Sequence, residues 1–135
     1  MEQYAKAPLN NITLTNRVPE SELEADLWIA PYRRNVVGVS VPSRIYNLLA
    51  VGRPVIVTAE ASSEAALMLK EEDIGWIVRP EDPLDLAEAI RSGAADREET
   101  LAKGRRAAIA AHRYTSDRAI ASYRQIINDV MRAAR

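Results

Sequence analysis

The sequence contains no cysteine and has His112 as its one histidine among 135 residues. The absence of cysteine excludes disulfides, thiolate chemistry and iron–sulfur clusters, and it is typical of a reducing compartment. A single histidine without a spaced carboxylate cluster leaves a transition-metal site short of ligands. No serine motif accompanies His112 to form a nucleophilic triad. We expect this side chain to lie on the surface near the end of a helix.

The five glycines are all isolated, which excludes the glycine-rich dinucleotide and Walker loops. No apolar run approaches the ~18 residues of a membrane-spanning helix. Eighteen basic and nineteen acidic side chains leave a net charge of −1, and no basic stripe indicates a nucleic-acid partner. We expect one soluble, cytoplasmic domain, with a location at the membrane surface left open for the full-length enzyme.

Apolar segments typical of strands alternate with segments typical of helices along the chain. The patterns predict strands at 11–15, 27–30, 54–58 and 75–78, and helices at 19–26, 42–51, 62–70, 82–92, 97–112 and from 116 onwards. This alternation indicates an α/β fold with about four parallel strands in a Rossmann-like three-layer α/β/α arrangement. We divide the single domain into a lead-in (1–10), an α/β core (11–95) and C-terminal helices (96–135).

Several side chains have predicted roles in these elements. Ser62 is expected to cap its helix, with Leu67 and Met68 turned inward, and Asp82 and Pro83 to begin a helix that Gly93 follows. The expected core includes two tryptophans and a C-terminal apolar stripe, namely Trp28, Trp76, Ile120, Tyr123, Ile126, Ile127, Val130 and Met131.

The segment 40–57 carries the strongest local signal. Pro42 and Ser43 are typical of a helix start, Gly52 suits the helix end, and Pro54 prevents continuation before a buried β-branched strand. Unpaired N–H groups at such a helix start attract anions, above all phosphate. The segment therefore predicts a phosphate-binding helix beside a buried strand.

Ligands of parallel sheets bind beyond the carboxyl ends of the strands. The loops 31–43 and 58–62 are expected to lie at that edge, and the segment 32–47 contains arginines, hydroxyl groups and Gly38. An ordinary strand-to-helix loop is the alternative interpretation of the same residues.

A series of short motifs runs through residues 10–125 in a characteristic order. It comprises Asn11–Thr15 with Arg17-Val18-Pro19, Ala25–Pro31, Pro42-Ser43-Arg44-Ile45-Tyr46, Ala50-x-Gly52-x-Pro54, Gly75–Val78 and Pro80–Pro83. This series resembles the C-terminal, nucleotide-sugar-binding domain of group 1 (family 4) glycosyltransferases of the GT-B type. The resemblance also implies a role in polysaccharide biosynthesis.

The resemblance implies a set of donor-binding residues. Pro42, Ser43 and Arg44 would face the diphosphate, and Gly38, Val39 and Ser40 would lie against the sugar or phosphates. Asn47 stands where many members have a ribose-binding glutamate, and an amide still hydrogen-bonds a diol without charge. Arg33 and Arg34 are second-tier phosphate candidates. No catalytic residue is assigned, and the family pattern requires no metal.

Two departures from the family pattern affect the interpretation. Val39 and Asn47 replace the two glutamates that many members carry. The resemblance also implies that two strands of the donor domain and the acceptor-binding N-terminal domain are missing. We therefore expect residues 11–15 to pair with 27–30, or a second copy of the chain to cover the open sheet edge as a homodimer.

The implied function is donor binding in a retaining hexosyltransferase, whose substrate is a nucleotide-diphosphate sugar and whose acceptor is a hydroxyl group. The fragment is expected to be inactive alone. The alternatives are a non-catalytic Rossmann-like interaction module and a degenerate glycosyltransferase remnant that binds nothing.

Overall fold

The computed structural model describes residues 11–13, 24–38 and 43–133. The described part contains three strands and five helices. In chain order they are β1 (Trp28–Pro31), α1 (Ser43–Ala50), β2 (Val55–Thr58), α2 (Glu64–Glu72), β3 (Gly75–Val78), α3 (Pro83–Ala95), α4 (Arg97–Ala111) and α5 (Ser116–Ala133). The predicted α/β fold with C-terminal helices is confirmed.

The three strands form one parallel sheet in the order β1-β2-β3. Val55 pairs with Trp28 on one side and with Gly75 on the other, so the strands run in register from their amino ends. All four residues of β2 are buried. This burial explains the uninterrupted β-branched run, since a central parallel strand is covered on both faces.

Alternation along β2 separates two apolar layers. Val55 and Val57 join a cluster that includes Ile45 and Leu49 of α1 and residues of α2 and α4. Ile56 points to the opposite face and packs with Val78, Leu86 and Ala89, the last two from α3. The sheet is therefore covered by helices on both faces, as a three-layer arrangement requires.

Helix α4 crosses the amino ends of the strands. A Cβ built on Gly104 would lie 2.6 Å from the backbone oxygen of Gly52, and the next nearest atoms belong to Arg53 and Pro54, which precede β2. Only a glycine permits this close approach between a helix and a turn. The carboxyl edge of the sheet lies at the opposite end from this contact.

The start of α3 is as predicted, whereas its end is not. Asp82 caps the helix by accepting a hydrogen bond from the backbone N–H of Asp85, and Pro83 is the first helical residue. Gly93 lies inside α3, where its Cα leaves room for Trp76 and Leu27. The helix continues to Ala95, and the following residue, Asp96, caps α4.

Helix α2 begins one residue later than predicted. Its cap is Ser63, whose side chain accepts a hydrogen bond from the backbone N–H of Ala66, and not Ser62. Met68 is buried as expected, but Leu67 is exposed. Ser63 has the extended backbone of a residue that precedes the first helical turn (φ −72°, ψ 150°), so its side chain is placed to cap the helix.

The predicted first strand and first helix are not found where the structure describes them. Residues 11–13 are exposed and belong to no strand, and 14–15 lie outside the described residues. Residues 24–26 are not helical, and 19–23 also lie outside them. The described sheet thus has three strands instead of about four, and residues 11–13 do not pair with the free edge of β1 as expected.

The expectation that the C-terminal stripe belongs to the core is wrong. Helix α5 forms as the spacing predicts, but none of its residues is buried. Trp28 and Trp76 pack against the two apolar clusters as expected, although both are half-buried. No helix within the described ranges is long and apolar enough to cross a bilayer.

Candidate functional site

The carboxyl ends of β1 and β2 are joined by Thr58, the last residue of β2. Its hydroxyl accepts a 3.0 Å hydrogen bond from the backbone N–H of Tyr32 and donates a 3.1 Å bond to the Tyr32 carbonyl. The same N–H also lies 3.0 Å from the Thr58 carbonyl oxygen. Three contacts therefore fix the point at which the chain leaves β1 and enters the loop toward α1.

The amino end of α1 faces solvent beside this loop. Ile45 and Leu49 are fully buried and anchor the helix to the sheet, whereas Ser43, Arg44 and Asn47 are exposed. Residues three and four positions apart lie on the same face of a helix. Asn47 therefore shares a solvent face with Ser43 and Arg44, as donor binding by these three residues requires.

Tyr32 and Arg44 interact electrostatically. Burial raises the pKa of the Tyr32 hydroxyl above its ordinary value, and the positive charge of Arg44 partly offsets that rise. Arg44 thus lies close enough to the end of β1 for its charge to act there. A guanidinium in this position adds to the positive electrostatic potential at the amino end of α1.

Two acidic residues organise the loop that follows β1. The backbone N–H of Asn35 donates a 3.0 Å hydrogen bond to Glu60, which follows β2. Arg34 lies 3.3 Å from a carboxylate oxygen of Glu81, which follows β3. These contacts tie the loop after β1 to the loops after both other strands.

Arg79 is the first residue after β3, and two carboxylates hold its side chain. The guanidinium lies 2.9 Å from Asp82 and 3.4 Å from Asp85. A hydrogen bond from the Arg79 backbone N–H lowers the pKa of Asp85, and the Arg79 side chain acts in the same direction. The Arg79 charge is therefore already compensated within the protein.

An open cleft of about 530 Å³ lies between these loops. It is bordered by residues from all three strand ends, namely Arg34, Ala59, Glu60, Ala61, Ile77, Arg79 and Pro80. Its lining combines two guanidinium groups and a carboxylate with an apolar floor. Because Arg34 is paired with Glu81, and Arg79 with Asp82 and Asp85, neither guanidinium of this cleft is free to bind an anion without displacing a carboxylate.

The predicted site residues have different outcomes. Val39, Ser40 and Pro42 lie outside the described residues. Gly38 has a φ of +75° with open space around its Cα, a conformation that favours glycine. Arg33 is exposed, and Arg34 reaches the cleft.

Sequence reasoning placed the loop 58–62 at this edge but named none of Thr58, Glu60, Arg79 and Glu81 as site residues. A usable signal was present, because each of these residues ends an apolar strand or follows it within three positions. Polar residues at that place in parallel sheets meet at one edge. Their mutual contacts depend on loop conformation, including the positive φ of Glu81 (60°), which no local pattern indicated.

The site belongs to a class defined by its fold, a parallel α/β sheet with an exposed helix start and arginines at the carboxyl edge. The chain is similar in sequence to a curated protein, the probable glycosyltransferase WbjE of Pseudomonas aeruginosa. The two are 31% identical over 65 residues, which is 48% of this chain. The chain is thus distantly homologous, over part of its length, to a probable glycosyltransferase.

The matched stretch spans 16% of the length of that protein. No family model matches the sequence. No solved structure matches it either.

Proposed function

We propose that the chain is the donor-binding portion of a retaining glycosyltransferase of the GT-B type. The intact enzyme would transfer a hexosyl group from a nucleotide-diphosphate sugar to an acceptor hydroxyl. The observation that carries this proposal is the exposed amino end of α1 beside Arg44, at the carboxyl edge of a parallel sheet. The distant homology to a probable glycosyltransferase supports it.

The diphosphate would bind at the amino end of α1. The backbone N–H groups of Ser43 and Arg44 and the guanidinium of Arg44 would stabilise its charge, with Ser43 also as a hydroxyl donor. Asn47, on the same solvent face, would hydrogen-bond the ribose hydroxyls. The loop at Gly38, Val39 and Ser40 would lie against the sugar.

Arginines of the loop after β1 are secondary partners in this proposal. Arg34 is paired with Glu81, so a bound phosphate would have to compete with that carboxylate. Arg33 is exposed and its guanidinium could reach an anion at the same edge. Binding of the diphosphate by Arg33 or Arg34 would require no metal ion.

The enzyme's missing parts would supply the acceptor site. The sheet order β1-β2-β3 is the order that the family resemblance implies for the last three strands of the donor domain. The preceding strands and the acceptor-binding domain would then come from a longer protein. The use of a nucleotide-sugar donor is consistent with a cytoplasmic enzyme, which those parts would hold at a membrane surface.

Calorimetric titration with a panel of nucleoside diphosphates tests the binding proposal. We expect weak binding of at least one of them, and a loss of about tenfold in affinity for Arg44→Ala, since one charge-assisted contact contributes roughly 1.4 kcal/mol. Arg105→Ala is the matched control, because Arg105 is exposed on α4, away from the carboxyl edge.

Two outcomes would contradict the proposal. Equal affinity of Arg44→Ala and the unaltered chain would remove the assignment of Arg44 to the diphosphate. Absence of binding across the whole panel would favour a degenerate glycosyltransferase remnant or a non-catalytic interaction module. The replacement of both family glutamates by Val39 and Asn47 is consistent with either alternative.

A further inference from the structure

Tyr32 is the first residue after β1, and hydrogen bonds hold its backbone in place. The Thr58 hydroxyl accepts a hydrogen bond from its N–H at 3.0 Å and donates one to its carbonyl at 3.1 Å. The N–H of Tyr32 also lies 3.0 Å from the Thr58 carbonyl oxygen. Because Thr58 is buried at the end of the central strand, the starting point of the Tyr32 side chain is fixed at the carboxyl edge.

The alternation of β1 directs the Tyr32 side chain to the face of the sheet that α1 covers. Every second residue of a strand points to the same face. Trp28, Ala30 and Tyr32 follow this spacing, and all three belong to one apolar cluster or pack against it. The same cluster contains Ile45 and Leu49 of α1. The Tyr32 ring therefore lies on the side of the sheet where α1 begins.

Arg44 lies in the same part of the site. It is exposed in the first turn of α1. Its positive charge lowers the pKa of the Tyr32 hydroxyl, although burial raises that pKa by more. Because the interaction between charges weakens with distance, the guanidinium and the phenol oxygen are close neighbours. Together they place a charge and a hydroxyl beside the amino end of α1.

The Tyr32 hydroxyl is available as a hydrogen-bond donor. The side chain is half-buried, so the core supports the ring while part of the side chain meets solvent. Within residues 24–38 and 43–133, the hydrogen bonds of Tyr32 are those of its backbone. The Tyr114 hydroxyl, by contrast, is bonded to Glu72. Since burial raises the pKa of Tyr32 above its ordinary value of 10.0, the phenol carries its proton at neutral pH.

We propose that Tyr32 is a further phosphate-contacting residue, whose hydroxyl donates a hydrogen bond to the diphosphate bound by Arg44. This inference rests on the proposed function of the α1 site. Arg44 supplies charge from an exposed side chain, whereas Tyr32 supplies a neutral donor from a fixed position. Negative charge grows on the diphosphate as it leaves the sugar, and a donor that is already in place stabilises this charge without having to move. The phenol keeps its proton throughout.

Calorimetric titration of Tyr32→Phe with uridine, guanosine, adenosine and cytidine diphosphates tests the inference. The variant keeps the ring and removes the hydroxyl alone. We expect affinity about tenfold weaker than that of the unaltered chain, because a hydrogen bond to a charged group is lost. The midpoint of urea unfolding should not change. Tyr123→Phe is the matched control, since it removes the same hydroxyl from an exposed position on α5 and should bind as the unaltered chain does.

Phosphorus NMR of the bound diphosphate tests which part of the ligand the hydroxyl contacts. We expect the resonances of the bound phosphates to differ between Tyr32→Phe and the unaltered chain, and to coincide for Tyr123→Phe and the unaltered chain. A purely structural role of the hydroxyl would leave them unchanged. Identical bound resonances in Tyr32→Phe would therefore overturn the assignment to the diphosphate.

The remaining contrary results separate this inference from the proposed function. Equal affinity of Tyr32→Phe and the unaltered chain, together with weaker binding by Arg44→Ala, would overturn the inference and leave the site at α1 standing. A lower urea midpoint for Tyr32→Phe would show that the hydroxyl stabilises the protein itself, which also overturns the inference. Absence of binding by the unaltered chain would remove the proposed function, and the role of Tyr32 with it.

Discussion

Asp73 joins two helices through its charge. It follows α2 in a left-handed conformation (φ 50°), and its carboxylate contacts Lys103 and Arg106 of α4. The Lys103 side chain is 10% exposed and lies over the Trp76 ring, while that of Asp73 is 61% exposed. A nearly buried ammonium therefore depends on a largely solvated carboxylate for part of its neutralisation.

This contact predicts a pH effect on stability. The hydrogen bond from Lys103 holds the pKa of Asp73 below its ordinary value of 3.8. Because the native pKa is the lower one, the carboxylate's contribution to stability is complete above about pH 4 and is lost as pH falls through the native pKa. Because the Asp73 carboxylate is largely exposed and solvent screens the pair, we expect Asp73→Asn to lower the stability at neutral pH by less than about 1 kcal/mol and to weaken the acid dependence.

Urea unfolding from neutral pH down to about pH 3 measures this effect. Asparagine tolerates the left-handed conformation, so Asp73→Asn changes the charge with little backbone strain. Asp129→Asn serves as the control, since Asp129 is exposed on α5. Parallel stability curves for Asp73→Asn and the unaltered chain would show that the contact with Lys103 contributes nothing.

At the scale of elements, local patterns predicted the first residue of α3 correctly but left the first residue of α2 undecided. Asp82 with Pro83 was predicted as a helix start, because a capping side chain followed by proline has one reasonable alignment. Ser62 and Ser63 satisfy the same local rule equally well. In the structure the cap is Ser63. Tertiary packing sets this choice, because the rotation of α2 against the sheet is fixed by its buried residues Ala65, Ala66, Met68 and Leu69.

The cap of α2 is open to a direct test. We expect Ser63→Ala to lower the free energy of unfolding by about 1 kcal/mol, because the backbone N–H of Ala66 loses its acceptor. Ser62→Ala should change it by less than about 0.5 kcal/mol, since exposed loop positions contribute little. Chemical denaturation of the two variants decides between them, and equal losses would argue against Ser63 as the cap.

At the scale of the whole molecule, we propose that the chain cannot complete a transfer reaction. The donor would bind at one edge of the sheet, whereas the acceptor would have to come from residues beyond this chain, which matches 16% of the length of its relative. We expect no hexosyl transfer from the purified chain with any nucleotide sugar. Turnover above the rate of a heat-denatured sample, measured by nucleoside diphosphate release in the presence of acceptor alcohols, would refute this prediction.

The sequence by itself determined the parallel sheet and the alternation of strands and helices from residue 27 onwards. These features follow from periodicity, capping and β-branched runs, which act between residues near in the chain. Only the tertiary structure decided that Arg34 pairs with Glu81 and that Arg79 is neutralised by Asp82 and Asp85. It also decided that the C-terminal apolar stripe on α5 is exposed. Ion pairs between loops and the covering of an apolar face depend on which elements meet in space, and helical spacing is the same whether the partner belongs to the same chain or to another.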